Sequence, residues 1–139
     1  MSTPKTVLII EDEVKLRRAV AAYLEDSGYR ILEAVNGREG IARIAEHQPD
    51  VVLTDLRMPE MNGLEVVTWM QQHSPQTPVI VISGTGDQHA VDTSLAAGAK
   101  MYLTKPIVDL AELDVAIQKV LGSDILISTG YTKGSAERK

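Results

Sequence analysis

The sequence contains no cysteine, which excludes disulfides, thiolate metal sites and cysteine nucleophiles. It also has no excess of basic residues. Lys and Arg number 14 against 19 Asp and Glu, for a net charge of −5. A nucleic-acid ligand needs a basic face to neutralise its phosphates, so this chain is not expected to hold one. No apolar run approaches membrane-spanning length, and Met1 to Lys5 carries nothing like the apolar stretch of a secretory leader. The expectation is therefore a cytoplasmic protein without a membrane partner. At 139 residues there is room for one well-buried core and little more.

What the sequence does have is alternation. Short, nearly continuous apolar runs recur at Val7-Leu8-Ile9-Ile10, Tyr29 to Ala34, Val51-Val52-Leu53, Val79-Ile80-Val81-Ile82 and Met101-Tyr102-Leu103. They are rich in β-branched residues and read as strands covered on both faces. Between them lie helical stripes. Leu16, Val20, Tyr23 and Leu24 precede Gly28; Ile41, Ile44 and Ala45 precede Pro49; Leu64, Val67 and Met70, with Val66 and Trp69 beside them, precede Pro75. A fourth, from about Asp87 to Ala97, has only Val91 and Leu95 as large apolar residues. The fifth, Leu110, Leu113, Ile117, Val120 and Leu121, is strong and stops at Gly122. Five βα units with short connections predict an α/β fold: a five-stranded parallel sheet, strand order 2-1-3-4-5, with helices on both faces as in flavodoxin. Residues 1–122 form the expected domain. The Ser, Gly and Lys composition of 123–139 reads as a linker or tail, leading to an output domain.

In such a sheet ligands bind beyond the carboxyl ends of the strands, at the point where strand order reverses. There the first run ends in Glu11-Asp12-Glu13 and the third in Asp55, so two distant segments bring carboxylates to one crevice. The fifth run ends in Lys105-Pro106 and the fourth in Ser83, followed by Gly84-Thr85-Gly86. Clustered carboxylates repel one another unless a cation sits among them, and oxygen donors with room for water suit Mg²⁺. A carboxylate can attack phosphorus to give an acyl phosphate. The metal and Lys105 would then neutralise the equatorial oxygens, while Ser83 donates a hydrogen bond.

Glu11-Asp12, then Asp55-Leu56-Arg57-Met58-Pro59-Glu60-Met61-Asn62-Gly63, then Ser83, then Lys105-Pro106 resembles the response-regulator receiver family over roughly residues 5–121. The resemblance implies that Asp55 is the phosphoacceptor and that Lys105 is the phosphoryl partner. It makes Asp12 a direct Mg²⁺ ligand, Glu11 a ligand mainly through water, and the Arg57 carbonyl the remaining protein ligand. Ser83 and Tyr102 become a coupled switch pair, and the bond before Pro106 becomes cis. Arg57 and Thr85 occupy the positions at which relatives set phosphate lifetime. The implied partners are a sensor histidine kinase or phosphotransfer protein, and an output domain or effector at the face of the fourth helix, fifth strand and fifth helix. The implied protein is no enzyme beyond its own phosphorylation and dephosphorylation. Two departures are minor: Glu11 and Ser83 stand where many relatives carry Asp and Thr.

Each feature alone has a plainer reading. Glu11-Asp12-Glu13 would serve as a helix N-cap, Asp55 as a turn residue, Lys105 as a surface charge. Ser83 would be a strand-end turn, and Tyr102 either core or a half-buried ring with a wet hydroxyl. Lys15, Arg17 and Arg18 read as a solvated helix face. His47, His73 and His89 have no metal spacing, Trp69 reads as packing, and Gly63 and Gly98 as turn or cap glycines. A flavodoxin-like nucleotide carrier would want an anion-binding loop where Glu11-Asp12 stands. An aspartyl-phosphate hydrolase would want an acid–base group where Arg57 stands.

Overall fold

The computed structural model describes residues 3–122 and 131–132. Strands β1 (Thr6–Ile10), β2 (Arg30–Ala34), β3 (Val51–Thr54), β4 (Val79–Ser83) and β5 (Met101–Thr104) alternate with helices α1 (Val14–Asp26), α2 (Gly37–His47), α3 (Gly63–His73), α4 (Gln88–Ala97) and α5 (Ala111–Gly122). These five strands pair in parallel in the order 2-1-3-4-5, as the sequence pattern predicts.

Successive strand residues point to opposite faces, and the apolar runs are continuous because both faces are covered. Val7 and Ile9 of β1, Val51 and Leu53 of β3, and Met101 and Leu103 of β5 pack with α1 and α5. Leu8, Ile10, Val52, Val79, Val81 and Tyr102 pack on the other side with Ile44 of α2, Val66, Val67 and Met70 of α3, and Val91 and Leu95 of α4. The third helix starts on a reciprocal cap. Asn62 accepts from the Glu65 amide, and the Glu65 carboxylate accepts from the Asn62 amide, each over 2.9 Å.

The sheet has one more strand than expected. Tyr131 and Thr132, β6, pair antiparallel with Tyr102 and Met101 of β5. The free N–H and C=O groups of an edge strand are a template for such pairing, and Tyr and Thr both favour extended backbone. The rest of the predicted tail, 123–130 and 133–139, lies outside the described residues.

Candidate functional site

Strand register assembles the site. Ile10 of β1 lies opposite Thr54 of β3, so the next residues, Glu11 and Asp55, emerge side by side. Backbone hydrogen bonds continue past the strand ends: Glu11 donates to the Ala34 carbonyl, Asp55 to that of Ile10 and Lys105 to that of Ser83. The Lys105–Pro106 bond is cis, and the Lys105 side chain reaches across the mouth of the sheet. Its Nζ lies 2.9 Å from Asp55 Oδ2 and 3.0 Å from Glu11 Oε1.

Both carboxylates are largely buried, Glu11 at 6% and Asp55 at 8% exposure, while Asp12 is exposed. Asp55 Oδ1 accepts from the Leu56 amide over 2.6 Å, with the Arg57 amide at 3.4 Å; the Arg57 side chain is exposed. Glu11 Oε2 accepts from the Glu13 amide over 3.0 Å. Burial raises the Glu11 pKa. The Glu13 and Lys105 hydrogen bonds oppose that rise, and the charge of Asp55 adds to it. Burial by itself lowers Lys105, yet the hydrogen bonds and charges of Asp55 and Glu11 prevail and its pKa ends above the ordinary value.

Oxygen atoms of Glu11, Asp12 and Asp55 lie within 4.8 Å of one another. Three carboxylates face one ammonium, so the cluster keeps a negative excess that a hard divalent cation would relieve. Its oxygen-only donor set, with one member open to solvent, fits Mg²⁺. Beside it a crevice of about 420 Å³ is lined by Asp55, Arg57, Ser83, Gly84, Thr85 and Lys105. Asp55 and Lys105 thus face the crevice together with Ser83, and Glu11 and Asp12 adjoin it through their approach to Asp55.

Thr85 is where the two remaining groups meet. Its amide lies 3.4 Å from Ser83 Oγ, a long contact, and its carbonyl accepts the Tyr102 hydroxyl over 2.6 Å. Tyr102 is fully buried beside Val91 and Leu95. Its ring is thus already inside, and its hydroxyl is held by protein, unlike the half-buried ring with a wet hydroxyl that the sequence also allowed.

Other residues depart from their sequence readings. Glu13 occupies the N-cap position of α1, but no side-chain cap bond forms there. Arg17 is 9% exposed and bonded on two sides, not part of a solvated face. Gly63 does more than turn the chain: a Cβ there would collide with the Asp55 carbonyl and the Leu56 Cα, so glycine lets the start of α3 seat against the backbone beneath Asp55. Tertiary approaches of this kind leave no periodic trace in sequence. His47, His73 and His89 are exposed, and Trp69 stacks on His73.

A family model described as the response regulator receiver domain matches residues 7–118. Regulatory protein AtoC of Escherichia coli (strain K12) is 36% identical over 121 residues, which are 87% of this chain and 26% of AtoC. Chemotaxis protein CheY of Thermotoga maritima is 37% identical over 103 residues, 73% of this chain and 86% of CheY. The response regulator protein TrrA of Thermotoga maritima, solved in complex with Mg²⁺-BeF, matches with a TM-score of 0.76 at 28% identity, covering 84% of this chain and 99% of TrrA. The chain thus spans about a quarter of the length of AtoC and most of that of CheY.

Proposed function

The chain belongs to the response regulator receiver domain family, modules of phosphorylation-dependent signalling, and we propose that Asp55 is the residue that takes the phosphoryl group. The observation that carries this is the division of labour around one carboxylate. Lys105 neutralises one Asp55 oxygen and the Leu56 amide orients the other, while the crevice in front stays open.

A carboxylate oxygen of Asp55 attacks the phosphorus of a phosphohistidine on a sensor kinase or phosphotransfer protein. The P–O bond forms as the P–N bond breaks, and the imidazole nitrogen leaves with the electron pair. Mg²⁺, held by Asp12, Asp55 and the Arg57 carbonyl with Glu11 acting through water, would supply charge for the equatorial oxygens; that TrrA was solved with Mg²⁺-BeF supports a role for the ion. Lys105 is within reach of the same oxygens, and its ammonium can donate a charge-assisted hydrogen bond to one of them. Nothing further is turned over, so the domain acts only on its own phosphorylation state.

The arriving dianion draws the Ser83 hydroxyl toward it and away from the Thr85 amide. Thr85 also holds Tyr102, so the loop and the start of α4 shift together, favouring a state of the α4–β5–α5 face that an output domain or effector recognises. Residues 123–139 would serve as the link to such an output. We place the domain in the cytoplasm on its family relationship.

Beryllofluoride with Mg²⁺ tests this, with chemical shifts followed in the wild type, Asp55→Asn and Ser83→Ala. Asp55→Asn is expected to give no response; a wild-type response from it would show that the acceptor is misassigned. Ser83→Ala is expected to bind the mimic yet lose most of the change around Thr85 and Tyr102. Normal transmission in Ser83→Ala would leave the acceptor standing and remove the switch route.

A further inference from the structure

Arg17 sits on α1 with 9% of its surface exposed, a place a guanidinium tolerates only when its donors are matched. Nη1 donates to the Glu11 carbonyl over 2.9 Å, and Nε donates to Glu33 Oε1 over 2.8 Å. Glu33 is itself fixed at β2, where its carbonyl accepts from Arg43 Nε of α2 over 3.1 Å. The next residue, Arg18, has a side chain 70% exposed and approaches Glu33 only to 3.9 Å, so the tight engagement belongs to Arg17.

The carbonyl that Arg17 holds opens the acidic loop. The other polar atoms of Glu11 are occupied by Ala34, Lys105 and Glu13. Asp12 differs: it is exposed, and its carboxylate has no hydrogen bond among the described residues. The backbone on either side must therefore set its position. On one side the Arg17 guanidinium holds the Glu11 carbonyl; on the other the first turn of α1 holds the Glu13 carbonyl through the main-chain amide of residue 17 over 3.0 Å, a bond that does not depend on the side chain. The two contacts straddle Asp12.

We infer that Arg17 is a positioning residue for the divalent cation: its guanidinium clamps the loop at the Glu11 carbonyl, the side of Asp12 that the helix backbone does not hold, and anchors it to β2 through Glu33. This rests on the reading of Glu11, Asp12 and Asp55 as the cation site. A pre-ordered Asp12 loses less freedom on meeting the ion, which strengthens binding. A guanidinium near a cation does the reverse through charge alone. Clamp and charge predict opposite signs, so the two are separable.

The test is a Mg²⁺ titration of the unphosphorylated full chain, with amide exchange of Asp12 and Glu13 measured on the metal-free protein. Arg17→Met removes both the donors and the charge. Arg17→Lys keeps the charge but has one nitrogen for two acceptors. Val20→Ala, at a buried position of the same helix, loosens α1 while keeping the guanidinium of Arg17 and its acceptors. Arg17→Met is expected to weaken Mg²⁺ binding about tenfold, the scale seen when a group supporting a metal ligand is lost. It should also speed exchange at Asp12 and Glu13. Arg17→Lys should fall between, and it decides the matter if Arg17→Met does not fold. Val20→Ala should bind Mg²⁺ as the wild type does. Tighter or unchanged binding in Arg17→Met overturns the clamp, as does an equal loss in Val20→Ala. A wild type that binds no Mg²⁺ would remove the cation site, and the metal-free exchange comparison would then decide the clamp by itself.

Discussion

Helices α4 and α5 flank the same strand, β5, from opposite faces of the sheet, and they are anchored very differently. On α5, Leu113, Ala116 and Ile117 are buried, with Leu110, Val120 and Leu121 packed against the same cluster. Asp114 of α5 also accepts the Tyr29 hydroxyl over 2.6 Å, and Gln118 donates to that hydroxyl over 3.0 Å. On α4 the buried apolar anchors are Val91 and Leu95. The remaining buried residue is Ser94, whose Oγ has no partner among the described residues. Asp87, at the N-cap of α4, makes no side-chain cap bond. A groove of about 480 Å³ runs beside this helix, between Met58 and Leu64 on one wall and Ala90 and Thr93 on the other. The fifth helix carries a cost too: burial lowers the pKa of Lys119, and its Nζ has no partner among the described residues. Even so, apolar burial makes α4 the more weakly held of the two, and it is the one that follows the Thr85 loop.

The comparison breaks most visibly in the core. Leu113→Ala should cost about 2–5 kcal/mol, the range for deleting a fully buried leucine. Leu95→Ala should cost less, because Val91 is the one other buried apolar anchor of α4 and so lightly held a helix can shift to close the space left. Urea titration measures both, and equal losses would mean α4 is as firmly seated as α5.

A smaller effect concerns the hydroxyl that ties α5 to the start of β2. Tyr29→Phe should cost about 1 kcal/mol near neutral pH, the net worth of one hydrogen bond. Burial, together with the hydrogen bond and charge of Asp114, raises the Tyr29 pKa. The native protein therefore keeps its proton where the unfolded chain, near the ordinary tyrosine value of about 10, begins to lose it. The contribution is fully present below that value and fades as pH rises through the native one. The gap between wild type and Tyr29→Phe should be flat at neutral pH and shrink in strong alkali. A gap that widened would reverse the assignment.

The smallest effect should also have the opposite sign. Ser94→Ala removes a buried hydroxyl without a partner, so stability should rise by up to about 1 kcal/mol. Relaxation dispersion should be stronger in α4 than in α5 of the wild type, and Ser94→Ala should narrow the difference. Dispersion of equal size in both helices would erase the contrast.

Much of this was legible in the sequence, for identifiable reasons. Strands buried on both faces produce unbroken apolar runs, so β1, β3, β4 and β5 were visible, and the two apolar anchors of α4 could be read off as well. Glu11, Asp12, Asp55, Ser83 and Lys105 could be placed together because they sit at strand ends, which topology gathers into one crevice. Contacts that join distant segments through a single side chain were not legible. Nothing local marks Arg17 as buried, since its partners are the Glu11 carbonyl in the loop after β1 and the Glu33 carboxylate on β2. The Tyr29–Asp114 bond spans 85 residues. The need for glycine at Gly63 depends on where the Asp55 backbone passes, and the tight hydroxyl bond of Tyr102 on how the Thr85 loop folds back. The pairing of Tyr131 and Thr132 lay in a segment whose composition pointed to a linker.

The alternation along β1 makes the sheet a partition. Val7 and Ile9 belong to the compartment of α1 and α5, and Leu8 and Ile10 to that of α2, α3 and α4. Side chains separated by a sheet share no partners, and substitutions that share none add rather than couple. A change at Leu24 should therefore leave the cost of a change at Met70 untouched. Mutational drift is then confined by compartment: a lineage can rework the surface of α3 and α4 without first renegotiating the packing beneath α1 and α5.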